Sequence, residues 1–168
     1  MPHPDSQPIA ICCAIVTVSD TRNPETDRSG QLIRQMLEAE GHSVRDYALL
    51  KDEPSAIEEL LYRWSNRADV EAVILNGGTG IAPRDTTYDA IEQLLDKTLP
   101  GFGELFRMLS YAEVGSRAMA SRAIAGVCHS TLIFSLPGST NAVRLAMEKL
   151  ILPELRHLVT QLNLARQP

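Results

Sequence analysis

The sequence withholds most of the features that would name a chemistry outright. It has only three cysteines. Cys12 and Cys13 are adjacent, so in a strand they point to opposite faces, and Cys128 stands far away. With no CxxC pair, neither a zinc site nor a disulfide framework is suggested; reduced thiols in a cytoplasmic protein are the plain reading. No apolar run reaches the roughly 18 residues of a membrane span. Positive charge is not in excess: 16 Lys and Arg against 21 Asp and Glu leave a net charge of −5. That argues against a nucleic-acid groove as the main surface, because phosphate-backbone binding is driven by Lys and Arg. The opening MPHPDSQP has no charged region leading into an apolar core, so it is not a secretory signal. Residues 1–8 read as a flexible tail and residues 9–165 as one domain, with no internal repeat, linker or low-complexity stretch.

What is present is the pattern of an ordinary globular chain of 168 residues, 44% apolar and 22% charged, long enough to bury a full core. AICCAIVTVSD (residues 10–20) is β-branched and apolar nearly throughout, as in a strand buried on both faces. Helical spacing follows at Leu32, Ile33, Met36 and Leu37, with Gly41 as C-cap. HSVRDYALL is a second strand. Pro54 opens a helix with Ile57, Leu60, Leu61 and Trp64 on one stripe. VEAVILN is a third strand, followed by a helix in TTYDAIEQLLDK. Residues 100–126 read as two helical pieces separated near Gly115, a stretch that includes Ser121 and Arg122. STLIFSLPG is a fourth strand, and a last helix is kinked or broken at Pro153. Met108, Met119 and Met147 fall at core-like positions, and His129 at a strand edge. The order β-α-β-α-β-α-α-β-α predicts a three-layer α/β/α sandwich around a mostly parallel sheet.

Each predicted strand ends in a polar tip: Ser19-Asp20, Lys51-Asp52-Glu53-Pro54, Asn76-Gly77-Gly78-Thr79-Gly80 and Pro137-Gly138-Ser139-Thr140-Asn141. In an open parallel sheet such tips share one edge, where ligands bind, so four loops distant in sequence are expected to line one cleft. Glycines let backbone N–H groups approach a ligand, and successive N–H groups form an anion-binding nest reinforced by the following helix N-terminus. The alternative for the glycine loop is a tight turn with no ligand. It contains neither G-x-G-x-x-G nor G-x-x-x-x-G-K-[ST], so it is neither a dinucleotide fingerprint nor a P-loop. Asp85 is open to two roles. It could cap the next helix, where Thr86-x-x-Asp89 has the pattern of a capping box, or it could be a magnesium ligand beside bound phosphates. Asp52 is the natural second carboxylate, or else a solvated turn residue. Ser19 and Asp20 could form a turn or touch a nucleotide, and Ser139 could cap the last helix.

Four segments in this order, TVSDTR, NGGTGIAPRDTT, SRAIAG and TLIFSLPGSTNA, resemble the molybdopterin-binding family, the MogA/MoaB group of molybdenum cofactor biosynthesis proteins. The resemblance covers roughly residues 10–162, and PGFGELFRMLS is similar to the MoaB branch. It implies a three-layer α/β fold and a homotrimer or homohexamer. The activity it implies is adenylyl transfer from Mg-ATP to molybdopterin, giving adenylylated molybdopterin and pyrophosphate, with the product used by a molybdenum-insertion enzyme. By position, Asp52 and Asp85 match the essential acids and would hold Mg²⁺. Ser19, Asp20, Gly77, Gly78, Thr79 and Gly80 match the nucleotide and phosphate site. Ser121, Arg122, Pro137, Gly138 and Ser139 match the pterin side. Some MoaB-type members depart from the acidic pattern; this chain keeps both acids, which favours a working enzyme. The competing expectations are a molybdopterin carrier without turnover and a nicotinamide enzyme, the latter weakened by the missing fingerprint after the first strand.

Overall fold

The computed structural model describes residues 8–164; nearly all of the expected tail, residues 1–7, and Ala165 at the far end of the expected domain lie outside the described residues. The apolar, β-branched run near the start forms β1 (Cys12–Val18), in which every residue after Cys12 is buried. It is followed by α1 (Arg28–Ala39), β2 (Ser43–Leu50), α2 (Pro54–Ser65), β3 (Ala72–Asn76) and α3 (Thr87–Leu94). Then come β4 (Lys97–Thr98), α4 (Pro100–Val114), a 3-10 turn (Gly115–Ala120), β5 (Ile124–Cys128) and β6 (Thr131–Leu136). The last helix has three parts: α5 (Thr140–Ala146), a π turn (Met147–Ile151) and α6 (Leu152–Leu164).

The sheet order is β2-β1-β3-β6-β5-β4. β1 pairs in parallel with β2 and β3, and β3 with β6. Alternation along β1 sets the two cores. Cys13 and Ile15 share a cluster with Ile33 and Leu37 of α1, Phe106 of α4 and Met147 and Leu155 of the last helix. Ala14, Val16 and Val18 pack instead with Ile57, Leu61 and Trp64 of α2 and Ile91 of α3. Helices therefore cover both faces, as the strand–helix alternation requires.

Two strands were not anticipated. β5 pairs antiparallel with β6 through a two-residue turn between Cys128 and Thr131, and β4 extends the same edge. The alanine-rich SRAMASRAIAG favours helix locally, but Ile124 and Val127 satisfy their backbone against β6, so tertiary pairing overrides propensity. Ser121 and Arg122 thus lie in a connector, not in a helix. His129 takes the first turn position with φ 54°. Chain reversal at this point needs a left-handed residue, which is why His129 is at a corner of the hairpin.

Two other expectations fail on side-chain direction. Met108 and Met119 are exposed, at 60% and 86%, whereas Met147 is buried. Met108 lies two residues beyond Phe106, one of the three buried residues of α4, which turns it about 200° around the helix. Met119 belongs to a 3-10 turn that buries only Ala118. The expected break at Pro153 takes the form of a π turn just before it, where Leu152 N–H reaches back to the Met147 carbonyl. Proline has no N–H and crowds the preceding turn, and a widened turn relieves both problems. Among the described residues no helix is long and apolar enough to cross a membrane. Burial pushes the Cys13 thiol up to about 12, so it stays protonated and serves the core.

Candidate functional site

The chain runs from β1 to β2 on one side and crosses back to β3 on the other, so the connections diverge between the C-terminal tips of β1 and β3. That divergence is where open α/β sheets place ligands. A cleft of about 640 Å³ opens there, floored by the tips of β1, β3 and β6 and walled by the end of α4 and the 3-10 turn. Of the expected site residues it brings together Ser19, Gly77, Gly78, Thr79, Gly80, Asp85, Ser121, Pro137, Gly138 and Ser139.

The glycine loop reaches this position because of its backbone. Gly77 and Gly78 have φ of 99° and 69°, in the left-handed region that only glycine enters freely. A Cβ on Gly77 would run into the Val18 carbonyl oxygen, and one on Gly78 into the Asp52 and Thr87 side chains. The N–H of Gly77 is bonded to the Leu136 carbonyl at 2.9 Å, while those of Gly78, Thr79 and Gly80 have no protein acceptor among the described residues. Three such donors in a row at the edge of a cleft form an anion nest.

Asp85 is not the helix cap. The N-cap of α3 is Thr86, and Thr86 makes no side-chain bond to its own helix. The Asp85 carboxylate turns back onto the loop, where Oδ2 accepts the Ala82 N–H at 3.0 Å. Nor does the Thr86/Asp89 capping box form: Asp89 pairs with Arg122 at 2.7 Å. The carboxylate at the start of α3 comes instead from another loop. Oδ1 of Asp52 accepts the Thr86 N–H at 3.2 Å, the Thr86 hydroxyl at 2.6 Å and the Thr87 hydroxyl at 3.4 Å. Asp52 is 5% exposed, so it is no solvated turn residue.

Three expected residues lie behind the cleft wall and do not line it. Asp52 is one. Asp20 is the second: it faces Arg84, with contacts of 2.8 and 2.9 Å, and accepts the Asp52 N–H at 3.2 Å. The bonds from Arg84, and then that from the Asp52 backbone, hold its carboxyl at about 2. Arg122 is the third; its guanidinium stacks 4.2 Å over the Tyr88 ring while it pairs with Asp89. Ser139, besides lining the cleft, caps α5 by accepting the Ala142 N–H.

Other cleft residues were not singled out in the sequence. Arg22 donates to the Gly138 carbonyl at 3.3 Å and stands 3.9 Å from the fully buried carboxylate of Asp27. It lies two positions beyond Asp20 on the same tip, and that proximity was the available signal. Arg117 and Glu113 enter from the opposite wall, with no sequence mark to separate them from ordinary surface charges. The buried Ser121 hydroxyl has no partner among the described residues, which leaves it a donor and acceptor for a ligand in the adjoining cleft.

The donor set fits the magnesium that the resemblance implies. Among the described residues no three His, Cys, Asp or Glu side chains form a cage. Among the described residues no protein group donates to Oδ1 of Asp85 at the cleft or to Oδ2 of Asp52, which lies behind the wall against Gly78. Mg²⁺ is commonly held in this manner, by one or two carboxylates plus substrate phosphates and waters.

Comparison with known proteins agrees with the fold and the motifs. Residues 14–157 match the family described as "Probable molybdopterin binding domain". The molybdenum cofactor biosynthesis protein B of Halalkalibacterium halodurans is 53% identical over 161 residues, 95% of each chain. A crystal structure of a molybdenum cofactor biosynthesis protein B superposes with a TM-score of 0.92 at 51% identity, covering 96% of this chain and all of the other. The tungsten cofactor synthesizing protein MoaB of Pyrococcus furiosus superposes at 0.82 with 34% identity, covering 92% and 98%. The chain therefore belongs to the molybdopterin-binding family, in the MoaB/MogA group of molybdenum cofactor biosynthesis proteins.

Proposed function

We propose that this protein adenylylates molybdopterin with Mg-ATP and releases pyrophosphate. The observation that carries the reading is the shared wall of the cleft, where three unpaired backbone N–H groups of the glycine loop adjoin the Asp85 carboxylate. A nest for anions with an acid beside it makes chemical sense for phosphates that arrive with a cation. An oxygen of the terminal phosphate of molybdopterin attacks the α-phosphorus of ATP. One P–O bond forms, the bond to the bridging oxygen breaks, and pyrophosphate leaves with the electron pair. The nucleophile is already anionic, so no general base is required. Catalysis rests on positioning and charge neutralisation.

Gly78, Thr79 and Gly80 donate to phosphate oxygens, with Ser19 and Arg22 on the adjoining tip. Ser121, Pro137, Gly138 and Ser139 form the pterin side, with Arg117 across the cleft. Asp52 and Asp85 would hold Mg²⁺, which supplies charge neutralisation on the phosphates when bound. Asp20 and Arg122 act from behind the wall. The protein works in the cytoplasm, as a homotrimer or homohexamer, and hands its product to a molybdenum-insertion enzyme.

Incubation of the purified protein with Mg-ATP and molybdopterin tests this directly, with adenylylated molybdopterin and pyrophosphate as products in equal amounts. The three hydrogen bonds that commit Asp52 to α3 favour a second reading, a molybdopterin carrier in which this acid is purely structural. Pterin binding without pyrophosphate release would establish the carrier and sink the transferase.

A further inference from the structure

The segment between the glycine nest and α3 has almost nothing to hold it. Ile81 is 77% exposed, and Ala82, Pro83 and Arg84 are exposed as well. No apolar packing fixes the stretch that presents Asp85 to the cleft. Within residues 81–84, Arg84 is the side chain that reaches other elements. Its guanidinium meets Asp20 on the β1 tip at 2.8 and 2.9 Å and Glu53 on the β2 tip at 3.1 and 3.2 Å. On the far side of Asp85, Thr86 is gripped by Asp52. Asp85 is thus the middle residue of three, with both neighbours anchored to the β1 and β2 loops and its own carboxylate at the cleft.

We propose that Arg84 is a positioning residue which, through Asp20 and Glu53, fixes the loop that carries Asp85, and that Asp20 serves this clamp rather than touching the nucleotide. A planar guanidinium forked onto one carboxylate, with a second carboxylate beside it, sets direction as well as distance. An exposed ion pair adds little to global stability. The clamp's effect is therefore concentrated in local order, the least stable part of the opening spectrum. The kinetic consequence rests on the adenylyl-transfer reading; the structural consequence does not.

The test is amide hydrogen exchange of the ligand-free full chain, read at Ala82, Asp85 and Thr86, whose N–H groups are all bonded within the loop or to Asp52. Arg84→Gln is expected to speed exchange there by about fivefold while shifting Tm by less than about 2 °C. Arg84→Lys, which keeps the charge but loses the fork, falls between. In turnover, Arg84→Gln and Asp20→Asn lower kcat to a similar extent and leave the KM for ATP nearly unchanged. Exchange unaltered by Arg84→Gln overturns the clamp. A KM for ATP raised by Asp20→Asn alone returns Asp20 to the nucleotide. Should the unmodified protein make no adenylylated product, the functional reading fails and the exchange result still decides the role of Arg84.

Discussion

The two long walls of the cleft are built on opposite plans. The glycine-loop wall is tied from behind by polar contacts: Asp52 to Thr86 and Thr87, Arg84 to Asp20 and Glu53, Arg122 to Asp89 and Tyr88. The facing wall, from Glu113 to Ala120, buries only Ala118 and exposes Val114 and Met119. Its Gly115 has open space where a Cβ would stand. One wall is pinned by charged and hydroxyl contacts; the other leaves apolar surface and an exposed Arg117 with few packing constraints. Preorganised electrostatics cost no rearrangement at the moment of reaction, so in the proposed function the tied wall handles phosphate and the loose wall handles shape.

The sharpest way to break this contrast is Asp85→Asn, which keeps the wall's shape and removes its charge at the cleft. Turnover should fall roughly a hundredfold or more while molybdopterin binding, measured by titration, persists. Normal turnover would show that the charge on this wall is not chemical. Asp52→Asn separates the tie from the chemistry. It should reduce turnover too, but it also weakens three hydrogen bonds at the start of α3, and urea unfolding should show a loss of about 1–2 kcal/mol. A stability loss as small as that of Asp85→Asn would mean that the tie is ornamental. On the loose wall, Arg117→Gln should leave stability within about 0.5 kcal/mol and weaken ligand binding severalfold, checked by denaturation and calorimetry. The gentlest probe is acid. Asp20 has its carboxyl lowered from 3.8 to about 2. Its stabilising effect is complete above pH 3.8 and disappears as pH falls through 2. Carboxyl-detected titration should place its midpoint near 2, and Arg84→Gln should raise it toward 3.8.

Much of the tied wall is legible in the sequence because polar residues directly after a buried strand can only lie at the sheet edge. That logic locates Ser19, the glycine loop and Pro137 to Ser139. It also brings Asp20 and Asp52 to the correct edge, yet side-chain direction depends on Arg84 and Thr86, thirty or more residues away, and periodicity carries no such information. The loose wall is nearly illegible for another reason. β5 runs antiparallel, so its beginning, not its end, meets the cleft. A search for polar strand ends passes over Ser121, and the alanines around it suggest helix. Met119 shows the same weakness: its spacing looks helical and buried, but a 3-10 turn with one buried residue gives it nothing to pack on.

The two-residue turn joining β5 to β6 also bears on how the molecule comes into being. That hairpin closes between near neighbours in the chain, a matter of microseconds, whereas β1 must wait for β2 and β3 across long crossovers, the slower kind of pairing. The cleft needs Ser19 and Ser139 together, so it spans most of the order of synthesis. A nascent chain carries the glycine loop long before it has the opposite tip, and β3 lacks its second parallel neighbour until β6 is made. The cleft is consequently a late product of translation, and a chain stopped before β6 has the glycine loop without the cleft.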